Sequence, residues 1–312
     1  MARFLVTGGC GFIGSHLCDR LEQLGHHVRV LDDLSTGRRE NLSHTSELIV
    51  GDVADRDCVD MAMADMDGCF HLAAVASVQR SVEDWLGTHR TNLTGAITLF
   101  EAARRTGSVG IPIVYASSAA VYGDNTRVPL SESSATQPIT AYGADKFGCE
   151  LHGRVASLVH GVPTCGMRFF NVFGPRQDPK SPYSGVISIF TDRLLSGQTL
   201  SIFGDGRQQR DFVYVGDVVR RLVAAMRTMS VKPRIFNVCR GVGTSVHELA
   251  LILGETIGVA PRIEFLPAKP GDIQVSIGDP ALGNAELGGE LSTTLRQGLR
   301  LTIDYQRPAI AA

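Results

Sequence analysis

The sequence predicts an α/β fold in which helices cover both faces of a doubly wound parallel sheet, followed by a smaller α/β C-terminal domain. Two observations lead to this prediction. Short apolar runs alternate with segments of helical period through the first half of the 312 residues, and such alternation is typical of parallel sheets with covered faces. A glycine-rich turn also joins the first apolar run to the first helical segment.

Five apolar runs in the first half have the length of buried strands. They are Phe4–Val6, Val28–Leu31, Leu48–Val50, Cys69–Leu72 and Ile113–Tyr115. The first helix follows the first run, because Ile13, Leu17 and Leu21 are spaced to share one helical face. Gly25 stands where a glycine usually ends a helix.

The later elements are less regular. Two longer helices are expected at about Glu83–Arg105 and Tyr142–His160, and a further strand at Thr164–Phe170. A strand at Ile235–Val238 is expected to return to the main sheet. We therefore assign residues 1–170, with a returning segment of about 211–243, to the first domain. Residues 171–210 and 244–312 are assigned to the second, smaller domain.

Composition argues against several classes of protein. The formal net charge is −2, so a nucleic-acid partner, which usually needs a basic excess, is not expected. The chain has no run of about 18 apolar residues, so no membrane span is expected. Its seven cysteines are scattered without a Cys-x-x-Cys pair, which argues against a disulfide framework or a metal site. Together with the lack of a signal-peptide pattern, they favour the reducing cytoplasm.

The glycine-rich turn has the spacing of a dinucleotide site. Gly8, Gly11 and Gly14 lie between the first strand and the first helix. The first glycine allows the tight turn, the second lets the backbone approach a pyrophosphate, and the third lets helix and strand pack closely. The phosphates of a dinucleotide would then lie at a helix N-terminus, where N–H groups and the helix dipole favour negative charge. A tight turn without a ligand is the alternative interpretation.

An acidic residue indicates which dinucleotide is bound. Asp32 ends the second strand, 18 residues after Gly14, where a carboxylate can accept hydrogen bonds from the adenosine ribose and would repel a 2′-phosphate. NAD is therefore expected rather than NADP. Arg38 and Arg39 follow closely; they are either solvated surface charges or groups that weaken this preference.

A second motif predicts acid–base chemistry. Tyr142 and Lys146 form Tyr-x-x-x-Lys, and residues four apart on a helix share a face. Because a nearby cation favours an ionised phenol, we expect Tyr142 to act as a general base. Lys146 is also placed to hold the nicotinamide ribose.

A serine pair follows the fifth strand. Ser117 and Ser118 stand at its C-terminal end, the edge where ligands bind to parallel sheets. The Ser118 hydroxyl can there hydrogen-bond a reacting oxygen. The alternative is that these serines only cap a loop.

Taken together, these motifs resemble the extended short-chain dehydrogenase/reductase superfamily, and within it the NAD-dependent nucleotide-sugar 4-epimerases that act on UDP-glucose or UDP-GlcNAc. The resemblance covers nearly the whole chain. It rests on Val6–Leu17, Leu31–Gly37, Gly51–Val53, His71–Ala74, Asn92, Ala116–Gly123, Tyr142–Lys146, Arg168–Arg176, Ile202–Gly206, Arg210–Val215 and Pro270–Asp272. It implies a Rossmann domain, a C-terminal substrate-binding domain and a homodimer built on the two long helices. From the sequence itself, the apolar faces of these helices could equally be internal core.

The resemblance also implies roles for matching positions. The catalytic set would be Ser118, Tyr142 and Lys146. The cofactor would be held by Gly8, Gly11, Phe12, Ile13, Gly14, Asp32, Asp33, Leu34, Ser35, Thr36, Gly37, Asp52, Val53, Leu72, Ala73, Ala74, Ala76, Asn92, Tyr142, Lys146 and Phe170. The UDP-sugar would be held by Ser118, Tyr142, Asn171, Val186, Leu200, Ser201, Ile202, Phe203, Arg210, Lys269, Asp272 and Ser276.

Two alanines separate the possible reactions. Dehydratases that resemble this chain carry Thr-Asp-Glu at the serine, and decarboxylases of UDP-glucuronate usually carry a glutamate at the second position after it. This chain has Ala119 and Ala120 there, which cannot transfer protons, so C4 epimerisation of UDP-Glc/UDP-Gal is expected. Other nucleotide-sugar reactions, UDP-glucuronate as substrate, and an NAD-sensing regulator without catalysis stay open.

Departures from the pattern bear on the substrate. Ser276 stands where some epimerases carry a large aromatic residue, so a UDP-GlcNAc/UDP-GalNAc pair is a further candidate, unless this serine is merely a tolerated surface residue. Lys269 and Gln274 stand where arginine is common, which leaves the affinity for the diphosphate open.

Overall fold

A sheet of seven parallel strands forms the centre of the computed structural model, which describes residues 1–104, 109–179, 185–268 and 271–311. The strands of the protein are β1 Arg3–Thr7, β2 His27–Asp32, β3 Glu47–Val50, β4 Gly68–His71, β5 Ile113–Ser118, β6 Thr164–Phe169, β7 Asn171–Phe173, β8 Leu200–Phe203, β9 Gln209–Tyr214, β10 Arg234–Val238, β11 Gly243–Ser245, β12 Ile263–Leu266 and β13 Val275–Ser276. The order in the central sheet is β3-β2-β1-β4-β5-β6-β10. The predicted doubly wound sheet is confirmed, and so is the return of the strand at 235–238, which pairs with β6.

Helices cover both faces of this sheet. The helices among the described residues are α1 Phe12–Gln23, α2 Arg56–Met63, α3 Val78–Glu83, α4 Trp85–His89, α5 Gly95–Ala102, α6 Ala141–His160, α7 Val186–Leu195, α8 Val215–Arg227, α9 Val246–Ile257, α10 Ala281–Glu286 and α11 Leu295–Ala311. Helices α1 and α8 contribute to one hydrophobic cluster with the sheet. Helices α2, α5 and α6 contribute to another. No helix among these residues is long and apolar enough to cross a lipid bilayer.

The predicted helix at Glu83–Arg105 is divided. A first helix ends at Glu83, and a second begins at Trp85, because the Asp84 carboxylate accepts a hydrogen bond from the Gly87 N–H at 3.0 Å and caps a new N-terminus. A π-helical segment, Arg90–Thr94, then leads into α5. Arg105 lies outside the described residues. The helix predicted at Tyr142–His160 is confirmed, with one more residue at its start.

The second half of the chain builds two smaller sheets. In one, β9 pairs with β7 and β13 in parallel and with β11 antiparallel; in the other, β8 pairs with β12. Residues of α7, α9 and α11 share a separate hydrophobic cluster with β8 and β9. Strand β9 of this small assembly, Gln209–Tyr214, includes residues that we assigned from the sequence to the returning segment of the first domain.

A buried ion pair ties the long helix α6 to the central sheet. The Arg168 guanidinium, on β6, donates to both carboxylate oxygens of Glu150 on α6 at 2.8 and 2.7 Å. Both side chains are 5–6% exposed. The Ser117 hydroxyl donates to the same carboxylate at 2.5 Å, and Arg168 also donates to the Tyr122 hydroxyl at 2.8 Å. Four elements of the fold therefore meet at one pair of charges.

We expect Glu150→Ala to reduce the free energy of unfolding by about 3–5 kcal/mol, because it leaves the Arg168 charge buried without a partner. Urea denaturation at neutral pH measures the loss. The double variant Glu150→Leu/Arg168→Met is the control, since it removes both charges and should retain more stability. A loss below about 1 kcal/mol in the single variant would contradict this expectation.

Candidate active site

A cleft of about 450 Å³ opens at the carboxyl ends of the central strands. It lies where the strand order reverses between β1 and β4, the place where doubly wound sheets bind ligands. Its walls come from the glycine turn, the loops after β2, β3 and β4, the end of β5, the start of α6 and the segment after β6. The described ranges hold no cluster of three His, Cys, Asp or Glu residues placed to bind a metal ion.

The glycine turn forms a cradle that side chains would fill. Gly8 has a left-handed φ of +69°, and a Cβ atom on Gly14 would overlap the carbonyl oxygen of Gly8. Gly11 caps α1 without any side-chain hydrogen bond to the first turn. The N–H groups at this helix start are therefore available to an anion. These features fit the pyrophosphate of a dinucleotide.

Asp32 lies on the wall of the cleft, beside this cradle. Its carboxylate accepts hydrogen bonds from the N–H groups of Cys10 and Leu34, each at 2.9 Å. Burial raises the pKa of this carboxyl group, and the two backbone hydrogen bonds oppose that rise. A carboxylate has about four lone-pair sites, so acceptor capacity is left for the hydroxyls of a ribose.

The three predicted catalytic residues, Ser118, Tyr142 and Lys146, also line the cleft. The Lys146 ammonium donates to the carbonyl oxygen of Ala116 at 3.0 Å and lies 5.9 Å from the centre of the Tyr142 ring. The Ser118 hydroxyl oxygen accepts a hydrogen bond from the Ala120 N–H at 3.1 Å. Ser118 thus caps the short helix that follows, but its own proton stays available to a ligand.

Most predicted cofactor residues line this cleft, and two do not. Leu34 packs its side chain against the hydrophobic core. Asn92 is fully buried; its amide accepts from the Val75 N–H at 2.8 Å and donates to the Val75 carbonyl at 3.2 Å. Asn92 therefore holds the loop after β4, which carries Val75 on the cleft wall. Asp52 is on the wall and forms an ion pair with Arg90.

The predicted substrate residues fall into two groups. Asn171 lines the cleft together with Ser118 and Tyr142, and Val186 begins α7 directly after Gly185, another wall residue. The run at Leu200–Phe203 is a strand whose alternate members, Leu200 and Ile202, are buried in the core. The side chain of Ser201, between them, bonds to Arg193 and Glu264.

Arg210 and Asp272 are brought together. The guanidinium of Arg210 donates to the carboxylate of Asp272 at 2.7 Å, and Ser276 lies beside Arg210 in the register of β13 on β9. Lys269 lies outside the described residues. Arg210, Asp272 and Ser276 are not on the wall of the cleft itself.

Some wall residues were missed by sequence reasoning. Thr91, Gln177 and Gly185 line the cleft, and the side-chain oxygen of Gln177 is buried without a hydrogen-bond partner among the described residues. Gln177 comes directly after the Gly-Pro-Arg motif, which was the available signal. Its position on the wall depends on how the loop after β7 packs on distant parts of the chain.

A buried histidine stands behind the cleft. The ring of His71, at the end of β4, has one nitrogen 2.8 Å from the Thr7 hydroxyl and the other buried without a partner. Burial lowers the pKa of His71 to about 3, and the charge of Lys146 adds to this effect. His71 is therefore neutral wherever the protein is folded near neutral pH.

Comparison with known proteins agrees with this geometry. Residues 4–239 match the NAD dependent epimerase/dehydratase family. The chain belongs to this family. The chain is similar to the UDP-glucose 4-epimerase of Mycolicibacterium smegmatis, with 38% identity over 98% of both chains.

Solved structures of the epimerase/dehydratase family superpose closely on the chain. The crystal structure of UDP-glucose 4-epimerase with UDP-glucose from Thermotoga maritima is 36% identical, with a TM-score of 0.94 and 99% of each chain covered. The UDP-N-acetylglucosamine 4-epimerase of Methanobrevibacter ruminantium, in complex with UDP-N-acetylmuramic acid, is 33% identical, with a TM-score of 0.93 and 99% of each chain covered.

We expect His71 to make the stability depend on pH. The pKa of His71 in the folded protein is below its unfolded value of 6.5. As the pH falls below 6.5, His71 therefore binds a proton in the unfolded chain but not in the folded protein. Stability is thus full above pH 6.5 and declines toward pH 3. Between pH 7 and pH 4, urea denaturation should show a loss roughly 3 kcal/mol larger in the wild type than in His71→Leu. Equal losses in the two proteins would be the contrary result.

Proposed function

We propose that the protein is an NAD-dependent epimerase that inverts C4 of a UDP-hexose through a transient 4-keto intermediate. The observation that carries this proposal is the convergence of Ser118, Tyr142 and Lys146 on the wall of a cleft that begins at the glycine cradle. The similarity to UDP-sugar 4-epimerases over nearly the whole chain supports it.

The residues of the cleft fit the cofactor. The turn at Gly8–Gly14 would hold the pyrophosphate, Asp32 the adenosine ribose, and Lys146 the nicotinamide ribose. When bound, NAD supplies a reversible hydride acceptor. The carboxylate of Asp32 in the ribose position favours NAD over NADP, because a 2′-phosphate would meet a like charge. Arg38 is paired with Asp178 at 2.9 Å, which draws it away from a phosphate.

Proton transfer would be the task of Tyr142. Its phenolate would take the proton of the sugar 4-hydroxyl as the 4-keto group forms, and return it as the hydroxyl is restored on the other face. The ammonium of Lys146 has three donors, one of which is used by Ala116; the positive charge stabilises the phenolate. The hydroxyl proton of Ser118 would bond the C4 oxygen through both half-reactions.

The residues after Ser118 limit the reaction. Elimination of water or loss of CO₂ from the keto intermediate needs further acid–base groups at this point. Ala119 and Ala120 offer none, and both are only half-buried in the short helix that Ser118 caps. The intermediate is therefore expected to turn over and be reduced again.

The sugar pocket supports more than one substrate. Arg210, in its pair with Asp272, is suited to a diphosphate because guanidinium binds phosphate oxygens bidentately. Ser276, beside Arg210, is small and half-buried. We infer that UDP-Glc/UDP-Gal are substrates and that UDP-GlcNAc/UDP-GalNAc fit as well. We also propose that residues 171–210 and 244–312 form the sugar-binding domain and residues 1–170 with 211–243 the NAD domain.

We further propose that the protein works as a homodimer in the cytoplasm. Helix α6 exposes Leu158 and Val159, which are 59% and 69% exposed, and the adjoining α4 exposes Trp85 and Leu86, which are 67% and 82% exposed. Helix α4 packs against α6. Exposed apolar side chains on two neighbouring helices are typical of a subunit interface. The seven free cysteines suit a reducing compartment.

The decisive experiment incubates the pure protein with UDP-Glc, UDP-GlcNAc and UDP-glucuronate and identifies the products by NMR. We expect the C4 epimers of UDP-Glc and of UDP-GlcNAc as products. No 4-keto-6-deoxy or pentose product is expected. Tyr142→Phe should lower kcat by about 100-fold or more, because the proton acceptor is lost. A non-catalytic NAD-binding protein would give no product with any sugar.

The same set of substrates, assayed with Ser276→Tyr, tests the sugar pocket. A large ring beside Arg210 should lower kcat/KM for UDP-GlcNAc by about tenfold or more, while UDP-Glc turnover changes little. Equal effects on both sugars would show that this position does not select the substrate.

Light scattering tests the dimer. We expect twice the chain mass of 33.5 kDa for the wild type, and a shift toward monomer for Leu86→Glu/Val159→Glu, because charges are costly in a desolvated interface. A monomeric mass for the wild type at the concentrations used in the assay would refute the proposed dimer. It would not bear on the proposed reaction.

A further inference from the structure

A short segment after β7 is tied to distant parts of the NAD-side domain. We call residues Pro175–Asp178 the strap. The Pro175 carbonyl lies 3.0 Å from a ring nitrogen of His16, the Arg176 guanidinium donates to the Asp19 carboxylate at 2.8 Å, and Asp178 accepts from Arg38 at 2.9 Å. Every tie joins residues about 140 or more positions apart in the chain.

The ties lie on both sides of the dinucleotide end of the cleft. His16 and Asp19 follow the first turn of α1, which lines the cleft, and Arg38 comes directly after Gly37, which lines it too. Between these ties, the strap contributes Gln177 to the wall. The strap therefore spans from the helix start that faces the pyrophosphate to the loop that faces the adenosine ribose.

The backbone of the strap is held in an unfavourable conformation. Arg176 has a φ of +66°, in the left-handed region that non-glycine residues rarely adopt. This turn directs the Arg176 side chain to Asp19 on α1 while the next residue, Gln177, lines the cleft. Such strain persists only where surrounding contacts hold it, and it is often found at ligand clamps.

The proposed reaction explains why one end of the cleft would be closed. The hydride that leaves C4 returns to it, so the cofactor is regenerated and has no need to leave between turnovers. The UDP-sugar must leave after each one. We propose that the strap retains NAD between turnovers, with Arg176–Asp19 and Arg38–Asp178 as its fastenings. This inference rests on the proposed function.

The exposure of the two ion pairs predicts their relative strength. Arg38 and Asp178 are 66% and 39% exposed, whereas Arg176 and Asp19 are 24% and 31% exposed. Solvent and salt screen exposed pairs most strongly. Loss of the Arg176–Asp19 pair should therefore speed NAD release more than loss of Arg38–Asp178.

The test measures NAD release from the loaded protein. NAD-loaded protein is diluted into an alcohol dehydrogenase with ethanol, which converts released NAD to fluorescent NADH. We expect release to be about fivefold faster in Asp19→Asn and about twofold faster in Asp178→Asn. Raising the salt from about 0.05 M to about 0.5 M should speed release from the wild type and have little effect on the double variant Asp19→Asn/Asp178→Asn. The KM for UDP-sugar should stay within about twofold of the wild type in both single variants.

Two further variants serve as controls. Asp60→Asn removes an exposed ion pair of α2 with Arg56, away from the cleft, and should leave release unchanged. The exchange Asp19→Arg/Arg176→Asp should restore slow release, and aspartate tolerates a left-handed φ better than arginine does. Such a rescue would show that the ion pair itself slows NAD release, and that the faster release in Asp19→Asn does not come from general damage to the fold.

Three outcomes would overturn the strap. In the first, all variants release NAD at the wild-type rate. In the second, release is faster in Asp19→Asn but the exchanged pair does not restore it. In the third, release is unchanged while the KM for UDP-sugar rises, which would assign the segment to the sugar site. A protein that binds no NAD, or binds it without epimerising sugars, would instead refute the proposed function.

Discussion

The buried pair of Glu150 and Arg168 is the interaction on which the geometry of the site depends. Arg168 precedes Phe170 and Asn171, which line the cleft, and Glu150 stands one helical turn after Lys146. The Ser117 hydroxyl, bonded to the same carboxylate, adjoins Ser118. Burying two charges is costly unless each is fully hydrogen-bonded, and here the partners come from α6, β5 and β6. The charges thus specify how the elements that carry the site residues meet.

Around this anchor, the cleft combines parts of different physical character. The cofactor side is mainly backbone: glycines, N–H groups at a helix start and a loop held by Asn92. The side to which we assign the chemistry is made of side chains, Ser118, Tyr142 and Lys146, on a strand and a helix. Backbone groups bind an anion without losing side-chain entropy, and rigid elements keep reacting groups within the narrow distances that proton transfer needs.

Local motifs made much of this predictable from the sequence. Spacings within short stretches of the sequence mark residues that line the cleft, namely Gly8, Gly11, Gly14, Asp32, Tyr142 and Lys146. The resemblance implied sugar contacts for Leu200 and Ile202, whereas both side chains are buried in the core. Asp84, a residue type that often caps a helix N-terminus, lies inside the helix expected at Glu83–Arg105 and marks the point where that helix is divided. By contrast, the position of Gln177 and the contacts of Arg176 depend on packing between segments about 140 or more residues apart. No local sequence pattern indicates which distant segments pack together.

The position of β10 has a consequence for how the protein is made. The chain completes six strands of the central sheet by residue 169, then builds β7, β8, β9 and α8 before it supplies the seventh strand at residues 234–238. During synthesis on the ribosome, the outer edge of β6 therefore has no neighbour while more than 60 further residues emerge. An open, apolar strand edge invites pairing with other chains. During this interval the edge of β6 is open to pairing with other chains, until β10 covers it and becomes the outermost strand.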